Sequence, residues 1–200
     1  MKLKLLAAVA TSALLVTGLF AGDKSMDVKK DSAKMGMEKM AALPFGNVLE
    51  IAYSRLLWDK LEAKGLNSTP SNLYVGGPPH GKVREVVEGM IDGKRVIVKR
   101  NYGGADVSIK NVAKDRAKYL KAVTVMMKMD KGYDPQNADW FWVKYKKDGS
   151  LHKDPKGVNL AGKVAKGMPV GCIACHSSAS GGDLVFKHNK EANADVVYVK

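Results

Sequence analysis

The sequence predicts an α+β fold, made mainly of one antiparallel β-sheet with a few helices. Three observations lead to this fold class. Four segments between residues 82 and 151 are rich in β-branched and aromatic residues that alternate along the chain. Two Asp-Gly pairs, Asp92-Gly93 and Asp148-Gly149, provide the tight turns that join antiparallel neighbours. One helical segment with clear start and stop signals precedes these strands.

Residues 1–21 have the pattern of a secretory signal peptide. Two lysines precede an uncharged run from Leu5 to Phe20, and small residues follow. The run is about 16 residues long, shorter than the roughly 20 that a membrane-spanning helix needs. We therefore expect cleavage near residue 21, export to the periplasm and no membrane span after the leader is removed. An uncleaved N-terminal anchor is the alternative. Residues 22–44, rich in Lys, Asp and Met without a steady apolar stripe, are predicted to form a flexible spacer.

The first helix is predicted to begin at Asn47 and to end at Gly65. Asn47 is a favoured N-cap residue, and Glu50 three positions later completes a capping box. Gly65 is a typical stop signal. Apolar residues recur between these ends at helical spacing, and they are Val48, Ile51, Ala52, Leu56 and Leu61. The next segment, residues 65–81, is dense in Gly, Pro, Ser and Asn, which predicts a long connection.

Four strands of one antiparallel sheet are predicted after this connection. The first two, residues 82–90 and 94–102, are joined by the sequence IDGK, which predicts a hairpin. The third, residues 119–129, alternates between apolar and polar positions, and the fourth lies within the aromatic segment 139–151. A second helix is predicted over residues 107–120, between the second and third strands.

The chain is strongly basic, with 33 Lys and Arg residues against 20 Asp and Glu residues and a formal net charge of +13. The lysines are spread over the whole chain instead of gathering on one helix or one aromatic-studded sheet. The charge therefore does not indicate a nucleic-acid-binding protein. A basic surface of this kind attracts anionic partners, including acidic redox proteins.

Both cysteines of the chain lie in the hexapeptide GCIACH, residues 171–176. Cys172 and Cys175 are about one helical turn apart and His176 follows directly. This spacing lets two thiols reach the vinyl groups of a haem while the histidine binds its iron. In an exported chain, the motif predicts one covalently attached haem c near the C-terminus, with His176 as the iron ligand. The alternatives are a disulfide or redox pair, or a zinc site completed by another histidine or by a carboxylate.

The ligand on the other side of the iron decides between electron transfer and ligand binding. The segment after His176 contains no methionine, and His188 is interpreted as a surface residue. Upstream methionines such as Met126, Met127 and Met129 are interpreted as core residues. We therefore expect an open sixth position. A Met or His ligand, as in a six-coordinate electron-transfer cytochrome c, is the alternative.

Two further histidines lie in loops. His80, in PPHG, is interpreted as a turn residue, with an approach to the haem propionates or to the distal side as the alternative. His152 follows the Asp148-Gly149 turn and is expected to be exposed to solvent.

The sequence resembles the cytochrome P-460 family and its relative cytochrome c′-β, over about residues 47–190, and we interpret residues 45–200 as such a haem domain. The resemblance rests on CIACHSSASGGDLVF, on the aromatic strand NADWFWVKY and on VIVKRNY. It implies a largely antiparallel sheet with helices, one haem and an open iron face. In the cytochrome P-460 branch a strand lysine is joined covalently to the haem edge, and the resemblance implies that this residue is Lys99. A solvated lysine on a sheet face is the alternative.

The resemblance also carries expectations about function. Resemblance to the cross-linked members implies oxidation of hydroxylamine, whereas resemblance to the c′-β members implies binding of nitric oxide or carbon monoxide. It thus implies a periplasmic mono-haem protein that binds or oxidises small nitrogen species and passes electrons to a redox partner cytochrome, with non-catalytic gas binding as the alternative. It also implies a homodimer. Because a porphyrin needs a large apolar enclosure, the candidate pocket residues are the aromatic residues Trp140, Phe141, Trp142, Tyr145 and Phe186.

Overall fold

The computed structural model describes residues 45–186 and 197–199 of the chain. The predicted signal peptide and spacer, as well as His188, lie outside the described residues. Within the part that is described, no helix is long and apolar enough to cross a membrane.

Helix α1, Val48–Ala63, has the predicted start signal. The Asn47 side chain accepts hydrogen bonds from the backbone of Leu49 and Glu50, and Glu50 Oε2 accepts one from Asn47 N at 3.2 Å. This reciprocal pair is the capping box that the sequence predicts.

The buried stripe of α1 differs from the apolar stripe read from the sequence. Val48 is 80% exposed and Leu56 is 52% exposed, so only part of that stripe packs inward. The residues that are buried are Glu50, Ser54, Leu57 and Leu61. Two of them, Glu50 and Ser54, are polar. Ser54 Oγ donates to Glu50 O within the helix at 2.7 Å, and Ser54 O accepts from the distant Tyr145 Oη at 2.6 Å.

A mainly antiparallel sheet forms the centre of the fold, which confirms the α+β class. The four predicted strands are its four longest. Three shorter strands complete it, and the third of them pairs in parallel with β2. The strands are β1 Tyr74–Val75, β2 Val83–Ile91, β3 Lys94–Tyr102, β4 Leu120–Lys128, β5 Trp140–Tyr145, β6 Ala161–Gly162 and β7 Val197–Val199.

The β2–β3 hairpin forms as predicted. Asp92 and Gly93, at φ values of 49° and 72°, both lie in the left-handed region. This is the backbone of the primed turn that matches the twist of a two-residue hairpin, and it explains the Asp-Gly pair.

The segment 107–120 folds into two short helices instead of the single helix predicted. Helix α2 spans Ile109–Lys114 and helix α3 spans Arg116–Tyr119. The break falls at Asp115, whose φ of −150° is not helical and whose side chain caps α3 by accepting from Lys118 N. An Asp that competes for backbone N–H groups in this way starts a new helix. Helix α4, Cys172–His176, carries the cysteine motif.

The two faces of the sheet have different covers. One face packs against α1, and a typical row of residues across β3, β4 and β5 on that side is Val96, Met127 and Phe141. The neighbouring row on the opposite face is Ile97, Met126 and Trp142. Since successive side chains of a strand point to opposite faces, each strand contributes to both layers. The second face carries the candidate site.

Candidate haem site

A cavity of about 770 Å³ lies on the face of the sheet opposite α1. Two rows of the sheet line it, each running across β3, β4 and β5. One row is Ile97, Met126 and Trp142, and the other is Lys99, Thr124 and Lys144. Loops close the sides, contributed mainly by residues 78–80 and 153–176. The volume falls in the upper part of the roughly 300–1,000 Å³ range of cofactor pockets.

The cysteine motif forms one turn of helix on the cavity wall. Helix α4 follows Gly171, whose φ is 145° and whose missing side chain allows close approach, because a Cβ there would lie 2.3 Å from Ala165 Cβ. Cys172 and Cys175 both line the cavity as free thiols. Burial raises the pKa of the Cys172 thiol. Ile173, in contrast, packs into the core. The two sulfurs therefore share a wall with His176, as the motif predicts.

The imidazole of His176 is buried and oriented by the backbone. The side chain is 7% exposed, and its Nδ1 lies 2.7 Å from Leu184 O. A carbonyl oxygen can only accept, so Nδ1 carries the proton and donates it, which leaves Nε2 free for a metal. Burial lowers the pKa of His176 to about 4. A neutral imidazole with a free Nε2 is the form that binds iron.

Two aromatic rings hold His176 from the sides. The Trp142 ring lies 4.8 Å from the His176 ring, and the Phe186 ring lies 5.1 Å from it. Trp142 and Phe186 are thus the two members of the predicted aromatic set that line the cavity. The others have different places: Phe141 and Tyr145 point to the α1 side, and Trp140 packs next to the cavity without lining it.

Lys99 lies on the cavity side of β3 and is 9% exposed. Burial lowers its pKa to about 8, and the nearby charge of Arg84 adds to this effect, while Cys175 opposes it. Among the residues that the structure describes, its Nζ forms no salt bridge and no hydrogen bond. At physiological pH the site therefore holds an amine that is mostly protonated but has a larger neutral fraction than an ordinary lysine. It is buried on the sheet face and not solvated.

His80 follows the turn at Pro78-Pro79, where a turn residue was expected, but its side chain also reaches the site. It lines the cavity, and its ring lies 6.3 Å from that of His176, at an interplanar angle of 89°. Burial, followed by the charges of Lys99 and Arg84, lowers the pKa of His80 to about 3. The imidazole is therefore neutral, and it faces the same space as the predicted iron ligand.

The connection 65–81 holds His80 in place because hydrogen bonds join it to strands β2 and β3 both before and after His80. Arg100 Nη1 donates to Asn67 O at 2.6 Å, and Ser71 Oγ donates to Val86 O at 2.6 Å. Closer to the histidine, Arg84 Nε donates to Gly81 O at 2.9 Å. The bonds to Asn67 and from Ser71 join segments that are distant in sequence and leave no local pattern, so the sequence could not distinguish His80 from any other loop histidine.

The methionines and the other histidine divide between the site and its surroundings. Met126 is in the cavity wall, whereas Met127 and Met129 are in the core on the α1 side. Met168, on a loop, also lines the cavity. His152 is half-buried, whereas it had been expected to be exposed. Its backbone N–H donates to Lys144 O at 2.9 Å, which holds the segment beside β5.

The residues present fit a haem in chemistry as well as size. The Trp142 indole N–H is buried in the cavity wall and has no hydrogen-bond partner among the described residues, so it is available to an acceptor on a bound group. Lys144, Lys153 and Lys156 line the cavity as well, and Asp154 is the one acidic residue in its described lining. A haem carries two anionic propionates, which a lysine-rich rim accommodates. Sequence reasoning missed this rim because its lysines look like all the others in a basic chain.

A Cys-x-x-Cys-His helix on the wall of a haem-sized cavity, with an oriented histidine, defines a c-type haem protein. Comparison with known proteins gives the same class. The family model for cytochrome P-460 matches residues 83–187, and the chain belongs to the cytochrome P-460 family. No curated protein and no solved structure matches the chain. The matched segment includes Lys99 and the cysteine motif, but His80 lies before it.

Proposed function

We propose that the protein is a periplasmic cytochrome with one haem, joined to Cys172 and Cys175 and ligated by His176. The observation that carries this proposal is the bond between His176 Nδ1 and Leu184 O, at 2.7 Å. It frees Nε2 for iron on the same short helix that carries both thiols.

The first test is haem attachment. The full chain, leader included, is expressed in a bacterium that has the machinery for attaching haem c, and the periplasmic fraction is run on a denaturing gel. We expect a band that stains for haem in the parent protein and no stain in Cys172→Ala/Cys175→Ala. Ser177→Ala/Ser178→Ala, next to the motif, is the control and should stain fully. A colourless protein with free or mutually paired thiols contradicts the proposal.

We further propose that the protein binds or oxidises small nitrogen species such as nitric oxide or hydroxylamine. A haem iron with one vacant position supplies a binding site for the ligand nitrogen and accepts electrons that pass to a partner cytochrome. In this proposal His176 is the protein ligand of the iron, and Ile97, Met126 and Val164 form an apolar wall that excludes water. The scattered positive charge suits an acidic redox partner.

Optical and EPR spectra test this coordination. We expect high-spin iron in the isolated protein, and a spectral shift when nitric oxide is added to the ferric or ferrous form. Turnover of hydroxylamine with an artificial electron acceptor distinguishes an enzyme from a gas-binding protein. A low-spin iron that ignores nitric oxide contradicts the proposal.

Lys99 is proposed to be joined to the haem edge. A buried amine with a lowered pKa and no ion-pair partner in the described residues is a suitable nucleophile. The new C–N bond replaces one N–H and one C–H bond, so its formation requires a two-electron oxidant such as a peroxide.

Mass spectrometry of the haem peptide tests the cross-link. After proteolysis, we expect one species that contains the haem and both segments, one around Cys172 and one around Lys99. Lys99→Arg should release the second segment, whereas Lys144→Arg, at another cavity lysine, should not. A parent haem peptide that carries the Cys172 segment alone contradicts the cross-link and favours non-catalytic gas binding.

One observation favours a second candidate function, a six-coordinate electron-transfer cytochrome. His80 is neutral and its ring lies 6.3 Å from the His176 ring, across the same cavity. If His80 is the second ligand, the parent protein is low-spin and His80→Ala turns it high-spin. Under the leading proposal, the parent protein is already high-spin and the spin state is unchanged in His80→Ala.

A further inference from the structure

A short segment after the cysteine motif, residues 183–186, supplies the acceptor for His176, and we call it the proximal strap. Its Leu184 carbonyl receives the Nδ1 hydrogen bond. Leu184 has a φ of 61°, in the left-handed region that residues with a side chain rarely adopt. A residue stays in such a conformation only when its surroundings hold it there. The strap must therefore be fixed from outside.

Two residues of the sheet fix the start of the strap at Asp183. Trp140 Nε1, on β5, donates to Asp183 O at 2.7 Å. Arg95 Nη1, on β3, donates to Asp183 Oδ2 at 3.2 Å. Within the strap, Val185 N donates to Asp183 Oδ1 at 3.3 Å, and the Val185 side chain is buried in the core. The peptide that carries the Leu184 carbonyl is thus held on both sides.

Trp140 and Arg95 are themselves held in place. Trp140 is fully buried, and the Arg95 guanidinium lies 5.5 Å from the centre of its ring. Arg95 also pairs with Glu88 on β2, through Nη2 and Oε2 at 3.0 Å and through a second bond from Nε. A guanidinium fixed by a bidentate carboxylate pair is a rigid donor. The connection from the sheet to His176 is therefore continuous and made of short polar contacts.

We propose that Arg95 and Trp140 are positioning residues that set the hydrogen bond from His176 to Leu184, and through it the strength of His176 as an iron ligand. The inference rests on the proposed ligation of iron by His176. A carbonyl that accepts from Nδ1 increases the basicity of the imidazole and fixes its orientation. Hydrogen bonding to an axial ligand is one of the ways in which a protein adjusts the reduction potential of a haem. Neither Arg95 nor Trp140 lines the cavity, so they act through His176 and not on the bound ligand.

The central experiment uses the haem-loaded protein and the variant Trp140→Phe, which keeps a ring but removes the donor to Asp183. We expect the reduction potential to rise and the iron–histidine stretching frequency of the ferrous form to fall, because the imidazole becomes a weaker ligand. Trp58→Phe is the matched control. Trp58 packs on Tyr145, at 4.8 Å between ring centres, far from the strap, so it should leave both readouts unchanged even if it lowers the melting temperature.

A second pair of variants keeps the test decisive if Trp140→Phe does not fold. Arg95→Gln removes the ion pairs with Asp183 and Glu88 and leaves the buried Trp140 side chain in place. Lys94→Gln, at the neighbouring position, removes the exposed pair with Asp130 and serves as its control. We expect a shift of the potential in the same direction for Arg95→Gln, smaller than for Trp140→Phe, and none for Lys94→Gln.

The outcomes separate this inference from the proposed function. If the parent haem is ligated by His176 but Trp140→Phe and Arg95→Gln leave the potential unchanged, the inference is wrong and the proposed function stands. The inference also falls if the controls shift the potential as much as the strap variants do. If the parent protein binds no haem through His176, both fail. The potential can be measured whether or not nitric oxide binds, so the inference does not depend on the identity of the substrate.

Discussion

The two faces of the central sheet use the same strands for opposite purposes. On the α1 side, the row Val96, Met127 and Phe141 is buried under a helix, and all three residues are at most 1% exposed. On the other side, the row Ile97, Met126 and Trp142 is equally apolar but lines a cavity that only loops enclose. One face stabilises the fold and the other leaves space for a cofactor. Because the residues are sequence neighbours, paired substitutions can test each face separately.

The two faces also differ in whether their buried charged residues have ion-pair partners. Arg100, on the α1 side, pairs with Glu85 through Nε and Oε1 at 2.8 Å and also bonds the connection 65–81. Lys99, its neighbour on the cavity side, is as deeply buried but lacks any such partner in the described residues. Protein stability explains the first arrangement. The second arrangement leaves a buried amine without a charge partner in the described residues, as the chemical role proposed for Lys99 would require.

The largest effect is expected from breaking the Arg100 pair. Arg100→Met leaves the fully buried Glu85 carboxylate with Arg116 as its one ion-pair partner among the described residues, at 3.3 Å from Nε, and removes the bond from Arg100 to Asn67 O in the connection. We expect a loss of about 3–5 kcal/mol in the free energy of unfolding, as is typical when one partner of a buried pair is removed. Lys99→Met is the matched change on the cavity side and should be neutral or stabilising. Urea denaturation measures both, and equal losses would contradict the difference between the faces.

The methionine pair on β4 gives the next largest difference. Met127→Ala, on the α1 side, should cost about 2–5 kcal/mol because it leaves a cavity in a closed core. It should leave the haem spectrum unchanged. Met126→Ala only enlarges an existing cavity, so we expect a smaller loss of stability together with a changed spectrum or a changed affinity for nitric oxide. Thermal unfolding of the two variants measures the loss of stability, and titration with nitric oxide measures the ligand affinity. Equal effects of the two variants on both quantities would contradict the prediction.

Much of this architecture could be predicted from the sequence, because it depends on local signals. Alternation predicted the four long strands, Asp92-Gly93 predicted the hairpin, and a capping box predicted the start of α1. The cysteine motif indicated that Cys172, Cys175 and His176 lie close together, and all three are on helix α4.

What the sequence could not give depends on contacts between distant segments. Strands β1, β6 and β7 are only two or three residues long, too short for any pattern, and exist because a neighbouring strand pairs with them. The buried stripe of α1 contains Glu50 and Ser54, which no helical period of apolar residues reveals, and Ser54 O accepts from the distant Tyr145 Oη. His80 reaches the cavity through a connection anchored by Arg100 and Arg84. In each case, a long-range bond decided what local preference left open.

A pH titration sharpens the comparison on the α1 side. Burial raises the pKa of Glu50 to about 7, from an ordinary value of 4.5. The folded state therefore binds the proton more tightly than the unfolded state does. This contribution to stability is fully present below about pH 4.5 and is lost as the pH rises through about 7, by up to about 3 kcal/mol. Glu50→Gln still suits a capping box and should remove this pH dependence. Glu62→Gln, an exposed position on the same helix, is the control. A parent protein whose stability does not change from pH 4.5 to 7 beyond that of Glu50→Gln would contradict the assignment.

The smallest effect is expected at the outer edge of the α1 side. Lys60, on α1, pairs with Asp92 at the tip of the hairpin, but the Asp92 side chain is 61% exposed. Exposed pairs contribute about 0–1 kcal/mol, because water screens the charges and the side chains lose freedom when they meet. We therefore expect Lys60→Ala to change the free energy of unfolding by less than about 1 kcal/mol, and less still at high salt. Urea denaturation at low and high salt measures the difference. A loss as large as that of Met127→Ala would mean that the hairpin tip, and not the enclosed row beneath α1, holds the helix on the sheet.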